Sequence, residues 1–460
     1  MLMAKQSLPI EYNRSRPIGF LSLDPYNFLF MDKLFDDVRI VTPRAQPWLK
    51  ALPLSAEVKS LNLPVKTATS DGPKKYAITK KFVDQYKEDS RRKYVMYAPI
   101  DPPYKINPLA FLMNSPTVAH AYENKRYFRD EFADLIKIPE YEIKYMTELD
   151  RAASFSELRE RFDGPFMLQD EESSGSKGTY AIKDHHDYLD ALRSLKKFSQ
   201  GRTVVASKFI HGESCSIQVC LTKYGIFSGG IQRQLINSKY LCNTKLDGAT
   251  SWCGGEIGAV YPDIVQHRAQ EVASVIGSEL ASHGYKGVFG VDLIVTPDCE
   301  VYAIEINARL TGYSHIISEM QIINKKIPFM LLHTLELGNY KYDVTDTEAL
   351  PSGANYKKVG SLLILNNMLD EQLVLKHDIP SGLYRLAGDK VEFVKPAHTL
   401  NAVKSDDTML IMCRFSKGDT IESGRRVLKI MKFGKTMYRG DLNSKAQHLI
   451  TAIQNTFELN

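Results

Sequence analysis

The stretch FGVDLIVTPDCEVYAIEINARL, residues 289–310, constrains the fold of this chain more than any other. Two runs rich in Val, Ile, Leu, Phe and Tyr flank a Pro-Asp pair, the pattern of a β-hairpin, yet each run carries a carboxylate inward from its end. Side chains along a strand alternate between faces, so a turn centred on Asp298 and Cys299 sets Asp292 opposite Glu305, with Asn307 following on the same face. Opposed strand residues hold their Cβ atoms about 5 Å apart, where like charges destabilise the pair unless positive charge lies between them. A hard divalent cation supplies that charge, since Mg²⁺ takes oxygen ligands from a few carboxylates and completes its shell with water or phosphate. Arg309, on the same face, supplies it as well in a structural ion-pair network without metal, and the hairpin alone leaves both readings open.

A chain of 460 residues exceeds one ordinary core and implies roughly two to four domains. With 43% hydrophobic and 25% charged residues, its composition is globular, which excludes the disordered and fibrous classes. A formal charge of +5 is mild for this length and suits an anionic small molecule better than a nucleic-acid surface. The lysine-rich KKYAITKKFVDQYKEDSRRKY, residues 74–94, interleaves acids and reads as a solvated helix face. Six cysteines show neither CxxC nor zinc-ligand spacing and read as reduced, packed thiols. The segment MLMAKQSLPIEYNRSRP lacks a signal-peptide core, and no apolar run approaches the roughly 20 residues of a membrane span. A cytoplasmic protein with neither nucleic-acid nor membrane partners is therefore expected.

Along the chain, IGFLSLD, VRIVTP and KYVMYAPID alternate with helical stretches between Pro17 and Pro116, which predicts a small parallel α/β unit over residues 1–116. NSPTVAHAYENKRYFRDEFADL follows as an amphipathic helical stretch opened by Ser-Pro. From Gly164 the period turns β-like through PFMLQ, TYAIK, TVVASKFI, SIQVCLT and IFSGGIQRQLI. VQHRAQEVASVIGSELASHG then spaces Val265, Ala269, Val272, Ile276 and Leu280 as a helix ending at Gly284. IPFMLLHTLELG is a second helix bounded by Pro328 and Gly338. These readings predict a central domain over residues 117–341, with a flap or lid subdomain at about 164–235. Residues 342–460 read as short strands and turns, a small separate β-rich domain.

A second motif, QDEESSGSKGTYAIK, joins two strands through a Ser/Gly loop at residues 169–183. It is not a Walker loop, because GK[ST] is absent and a strand follows. Backbone N–H groups of Ser174, Gly175, Ser176 and Gly178 are positioned to approach a polyphosphate, with Lys177 as a point charge; the same composition also describes a mobile hairpin tip. A lysine-bearing helix, a Ser/Gly flap, a hinge strand and a carboxylate hairpin ending EIN-x-R succeed one another over residues 112–338. In this order and with these motifs, the chain resembles the ATP-grasp superfamily.

The resemblance implies an ATP-grasp fold, α/β and α+β, with a Rossmann-like pre-ATP-grasp domain before it and a small β domain after it. It implies ATP with two Mg²⁺ ions, Mn²⁺ being the alternative, and assigns Asp292, Glu305 and Asn307 to the metals. Arg309 matches the anion-holding arginine of the family and Lys125 a lysine that reaches the nucleotide phosphates. KFIHGES looks like the hinge, with Lys208, Phe209 and Ile210 meeting adenine through the backbone and Glu213 on the ribose, although Glu213 also reads as an ordinary turn acid. Three departures stand out: Gln169 replaces the usual strand-end lysine and supplies a hydrogen bond without charge, Ser207 replaces an acid at the hinge, and EINAR replaces EINPR.

Carried over, the family chemistry is formation of an acyl phosphate from a carboxylate and ATP, followed by attack of an amine, with release of ADP and phosphate. Arg309 and the N–H groups of Thr311 and Gly312 are the candidates for holding the tetrahedral oxyanion, and Lys177 for assisting phosphoryl transfer. The expected partners are a small carboxylate and an amine, amino acids or peptides, and the resemblance allows a homodimer. Carboxylation, thiol-ester formation and a regulatory nucleotide-binding module without turnover are the alternatives. His315, His185 and His186 read as packed or surface residues or as acid/base groups, and SWCGGEIG at 251–258 as pocket lining or a structural turn.

Overall fold

The structure is a computed structural model that describes residues 8–22, 24–44, 46–61, 81–82, 84, 89–99, 101, 108–172, 178–198, 203–244, 251–353 and 356–459. Strands β1 (Ile18–Leu21), β2 (Val38–Thr42), β3 (Glu57–Ser60), β4 (Lys93–Met96) and β5 (Phe111–Leu112) form a parallel sheet in the order β3-β2-β1-β4-β5. Ile18, Phe20, Ile40 and Val95 are fully buried, as expected of parallel strands covered on both faces. The links around β2 differ from the helical stretches expected: they are 3₁₀ turns at Pro25–Asn27, Leu29–Lys33 and Pro47–Ala51. Phe28, Leu29, Phe30 and Met31 are all buried, so that link is apolar on every side and has no solvent face for an amphipathic helix. Most of the lysine-rich stretch 74–94 lies outside the described residues, and its end, Lys93–Tyr94, belongs to β4 rather than to a helix.

The single helical stretch expected after this sheet is two helices, α1 (Pro116–Glu123) and α2 (Lys125–Phe132). Asn124 breaks it, because its side-chain oxygen accepts from the N–H groups of Arg126 and Tyr127 and so caps α2. A four-stranded antiparallel sheet follows, from β6 (Tyr141–Tyr145), β7 (Phe166–Asp170), β8 (Thr179–Ile182) and β9 (Thr203–Lys208), in the order β6-β9-β7-β8. Helix α3 (His185–Phe198) covers it, placing Tyr188, Ala191 and Leu195 against Phe166 and Leu168.

Next come β10 (Glu213–Thr222), β11 (Gly225–Ile236), β12 (Trp252–Ile257), helix α4 (Asp263–Ser282), β13 (Gly287–Val295) and β14 (Val301–Asn307). Helices α5 (Ser314–Ile323) and α6 (Phe329–Leu337) follow the hairpin. The C-terminal region contributes β15 (Gly360–Asn366), β16 (Gly382–Ala387), β17 (Lys390–Pro396), β18 (Thr408–Cys413), β19 (Arg426–Phe433) and helix α7 (Ser444–Phe457). Among the described residues, ten strands form one sheet in the order β14-β13-β10-β11-β12-β15-β19-β18-β16-β17. The expected division near residue 342 therefore falls within a sheet that continues across it, through the pairing of β12 with β15.

SWCGGEIG, read as a pocket lining or a turn, is mostly strand. Gly254 and Gly255 have φ +100° and +152°, and a Cβ on either would lie within 2.0 Å of the Leu362 or Arg233 carbonyl oxygen, so the two glycines permit the junction of β11, β12 and β15. One apolar core joins Phe20 and Val95 of the parallel sheet to Ile316 and Met320 of α5 and to Leu362, Leu410 and Met431 of the C-terminal strands. The hairpin's exit meets the parallel sheet, where the Leu310 N–H donates to the Tyr97 carbonyl just after β4. Among the described residues no helix is long and apolar enough to cross a membrane.

Candidate active site

Asp292 on β13 and Glu305 on β14 are register partners, and Gly290 pairs with Asn307. The path to that register differs from the two-residue turn expected. The turn has three residues, with Cys299 in the left-handed region at φ +66° donating its N–H to the Thr296 carbonyl oxygen. A β-bulge then places both Ile304 and Glu305 opposite Asp292, since Leu293 already pairs with Ala303. The two one-residue differences cancel. Phe289, Val291, Leu293, Val301, Ala303, Ile306 and Ala308 pack in the core beneath α4, and the bulge leaves Asp292, Glu305 and Asn307 on the opposite, half-buried side.

Two cations, Lys125 and Arg309, and a third acid, Glu123, flank the pair. Lys125 Nζ lies 3.3 Å from Glu305 Oε2, and Asn307 Nδ2 donates to Asp292 Oδ2 at 3.1 Å. Arg309 Nη2 donates to Asn307 Oδ1 at 2.6 Å while its Nε pairs with Glu123 at 3.0 Å. Gln234 Nε2, from β11, donates to Asp292 Oδ1 at 2.9 Å. Burial, and next the Glu305 charge, push the Asp292 carboxyl up to about 8. Burial also raises Glu305, but Lys125 and the hydrogen bond with Asp292 outweigh it and hold Glu305 below the usual range. Two opposed acids that keep one proton between them are a donor set short of positive charge, which fits a hard cation.

At the flap, Ser174, Gly175, Ser176 and Lys177 lie outside the described residues. Gly178 is described, at φ +68°, and its carbonyl accepts from the Asp170 N–H at 2.8 Å to close the β7–β8 hairpin. Gln169, at the end of β7, is buried and accepts on Oε1 from Arg129 Nη2 at 2.8 Å. Arg129 is 1% exposed, and its Nη1 donates to the Lys125 carbonyl at 2.9 Å. Burial lowers its pKa only to about 10, so it remains a cation beside Glu305 at neutral pH. The charge absent at Gln169 is thus supplied from α2. Arg129 went unnoticed in the sequence although it stands four residues after Lys125, the spacing that puts two side chains on one helix face. Glu123 and Gln234 were missed too, and only tertiary packing brings them to Arg309 and Asp292.

The hinge is only partly as expected. The Lys208 N–H donates to the Glu140 carbonyl and that of Phe209 to Pro165, so neither donor is free for a base; the Ile210 N–H has no partner among the described residues. Glu213 pairs with Arg233 at 2.7 Å and accepts from the Tyr261 hydroxyl, which makes it part of a network rather than a free ribose ligand. Thr311 likewise drops out as an oxyanion donor, because its N–H donates to Ser314 Oγ at 2.8 Å. The Gly312 N–H has no partner among the described residues, and a Cβ there would lie 2.5 Å from the Trp252 ring. His186 pairs with Asp190 on exposed α3, away from the hairpin, and His315 is buried on α5.

A family model described as an ATP-grasp domain matches residues 122–313, from the end of α1 to the start of α5. That part of the chain, at least, is an ATP-grasp domain. No curated protein sequence matches it. Among solved structures it is similar to the L-amino acid ligase from Bacillus licheniformis, with 14% identity, a TM-score of 0.55, and coverage of 91% of this chain and 93% of that one. It is also similar to N5-carboxyaminoimidazole synthase from Aspergillus clavatus in complex with ADP and 5-aminoimidazole ribonucleotide, with 15% identity, a TM-score of 0.54, and coverage of 93% and 96%. The biotin carboxylase domain of 2-oxoglutarate carboxylase from Hydrogenobacter thermophilus, in complex with MgADP and bicarbonate, has 12% identity, a TM-score of 0.57, and coverage of 92% and 87%. At these identities the likeness shows the fold, a mixed α/β ATP-grasp fold with an N-terminal parallel sheet. ATP-grasp proteins include ADP-forming ligases and carboxylases.

Proposed function

We propose that this ATP-grasp protein is an ADP-forming carboxylate-amine ligase that joins an amino acid or small acid to an amine or peptide. The observation that carries the reading is the facing pair Asp292–Glu305, flanked by Lys125 on one side and Arg309 on the other. Asp292, Glu305 and Asn307 would hold Mg²⁺, which neutralises charge on the transferring phosphoryl group when bound. Lys125 donates to phosphate oxygens of ATP, and Gln169, whose Oε1 is held by Arg129, offers its amide N–H groups to the same phosphates. A carboxylate oxygen of the acceptor attacks the γ-phosphorus, the bond to the β-phosphate oxygen breaks, and ADP departs. The amine nitrogen then attacks the acyl carbon, a C–N bond forms, the C–O bond to phosphate breaks, and phosphate leaves with the amine's proton. Arg309 and the Gly312 N–H stabilise the oxyanion between these events. The acyl phosphate has to be kept from water until the amine attacks. No step requires a cysteine or serine nucleophile.

The test is Mg²⁺-dependent release of ADP, resolved from AMP, against pooled amino acids, dipeptides and small carboxylic acids. ADP and phosphate should appear only with a particular acid and amine, and Glu305→Gln should lower the rate by about 10² or more with an unchanged circular dichroism spectrum. Full turnover by that variant would remove the metal assignment. Dependence on bicarbonate would point to a carboxylase, dependence on coenzyme A to a thiol ligase, and ATP binding without turnover to a regulatory module.

A further inference from the structure

In the parallel sheet the chain runs from β1 outward to β2 and β3 on one side and to β4 and β5 on the other, so the connections diverge between β1 and β4. Open parallel sheets bind ligands at such a point, beyond the carboxyl ends of the two strands. Asp24 follows β1 and Tyr97 follows β4 at those ends, and the Tyr97 carbonyl accepts from the Leu310 N–H, next to Arg309, at 3.2 Å. The crevice therefore opens beside the proposed reaction centre. The C-terminal strands close it with cations: Lys429 Nζ pairs with Asp24 at 2.7 Å and donates to Asn27 Oδ1 at 2.7 Å, and Arg426 pairs with Asp24 at 3.4 Å. Arg414, at the end of β18, has no ion pair within 4 Å among the described residues and feels the charges of Asp24, Arg426 and Arg425.

Three cations thus face one carboxylate. Asp419, the other acid nearby, is held by Arg44 through both oxygens. Lys429 is 3% exposed and forms the floor, whereas Arg426 keeps 33% of its side chain accessible, so the group is open on one side. The Nε atoms of Arg414 and Arg426, and both ring nitrogens of buried His315 on α5, lack hydrogen-bond partners among the described residues. His315 stands within the field of Lys429, Asp24 and Arg426, and burial, followed by the Lys429 charge, keeps it neutral. Cationic and polar groups drawn from the protein's solvent in excess of their partners are costly unless an anion completes them.

We propose that this crevice, with Lys429 as its floor and Arg414 and Arg426 as its walls, binds an anionic group of the acceptor other than the carboxylate that reacts, so that the acceptor is a dicarboxylic or a phosphorylated acid. The proposal rests on the ligase reading for the identity of the ligand as acceptor, but the anion site is testable apart from it. Isothermal titration of the full chain without nucleotide, using succinate, inorganic phosphate and propionate, should show binding of succinate or of phosphate and none of propionate; which of the two binds identifies the group. Arg426→Gln, and independently Arg414→Gln should the first variant not fold, should weaken that binding at least tenfold, and Lys125→Met should leave it unchanged. Equal binding by wild type and both arginine variants, loss in Lys125→Met alone, or no binding of either dianion would overturn the site. Arginine-dependent anion binding in a protein that never releases ADP would keep the site and remove the ligase. ADP release with acids that have no second anionic group, at a KM unaffected by Arg426→Gln, would do the reverse.

Discussion

Arg129 and Gln169 illustrate how one hydrogen bond defines the chemistry of a neighbouring group. A guanidinium only donates, so its bond to Oε1 leaves the Gln169 amide nitrogen as the end available to an anion. Arg129→Met should therefore free that amide and remove a buried charge, raising the KM for ATP about tenfold, the scale of one charge-assisted hydrogen bond, with a smaller change in kcat. Gln169→Lys alone should do worse than either residue's neutral substitution, because it sets a second cation against Arg129. Adding Arg129→Met to Gln169→Lys should recover most of the loss. Steady-state kinetics of the two single variants and the double variant decide this, and additive losses in the double variant would show that the pair does not act as a unit.

Short elements set the site, and their ends do most of the positioning. Asn124 ends one helix and caps the next, which puts the first residue of α2, Lys125, beside Glu305. Asn124→Ala should cost about 1 kcal/mol of stability, the usual loss for such a cap, and should also raise the KM for ATP, because α2 holds both Lys125 and Arg129. Denaturant titration and kinetics together separate the two effects, and a stability loss with unaltered KM would show that the cap is structural only. After the hairpin, Gly312 lies against the indole of Trp252. Gly312→Ala should lower kcat by moving the backbone N–H, and Trp252→Leu in the same chain should restore part of it by making room for the methyl group. A double variant no better than Gly312→Ala would place the defect in the backbone itself.

Across the whole molecule, burial of an acid far from the hairpin gives stability a pH dependence. Glu319 on α5 lies in the shared core, where its Oε2 accepts from the Leu400 N–H, and burial pushes its carboxyl up to about 8. The folded state therefore holds a proton that the unfolded chain has released above its ordinary value near 4.5, so stability should fall as pH rises toward 8. His333, lowered to about 3 by burial, acts oppositely but only below its unfolded value of 6.5, and Lys429, lowered to about 8, acts oppositely only above 8. Between pH 6.5 and 8 the fall should dominate. Asp292, whose carboxyl is also raised to about 8, adds to it in the same direction. Urea midpoints at the two pH values should converge in Glu319→Gln relative to wild type, and an undiminished fall in that variant would exclude Glu319 as a source.

What the amino-acid order determined on its own is what repeats locally. Alternation made a hairpin of residues 289–310 and named its acids, apolar runs marked β1, β2 and β4, and the spacing of Val265 through Leu280 marked α4. The succession of flap and EINAR motifs was enough to expect the ATP-grasp fold. Tertiary structure alone decided the rest. The bulge at Ile304 depends on how β14 docks under α4, and Glu213 looks like a free acid until Arg233 and Tyr261 arrive from other elements. The continuity of the sheet past residue 342 rests on the glycine pair of β12, and the crevice formed by Asp24, Arg414, Arg426 and Lys429 joins residues about 400 positions apart. Local sequence carries side-chain period and backbone preference, whereas the charge and solvation of a group are set by neighbours that only the folded chain brings within reach.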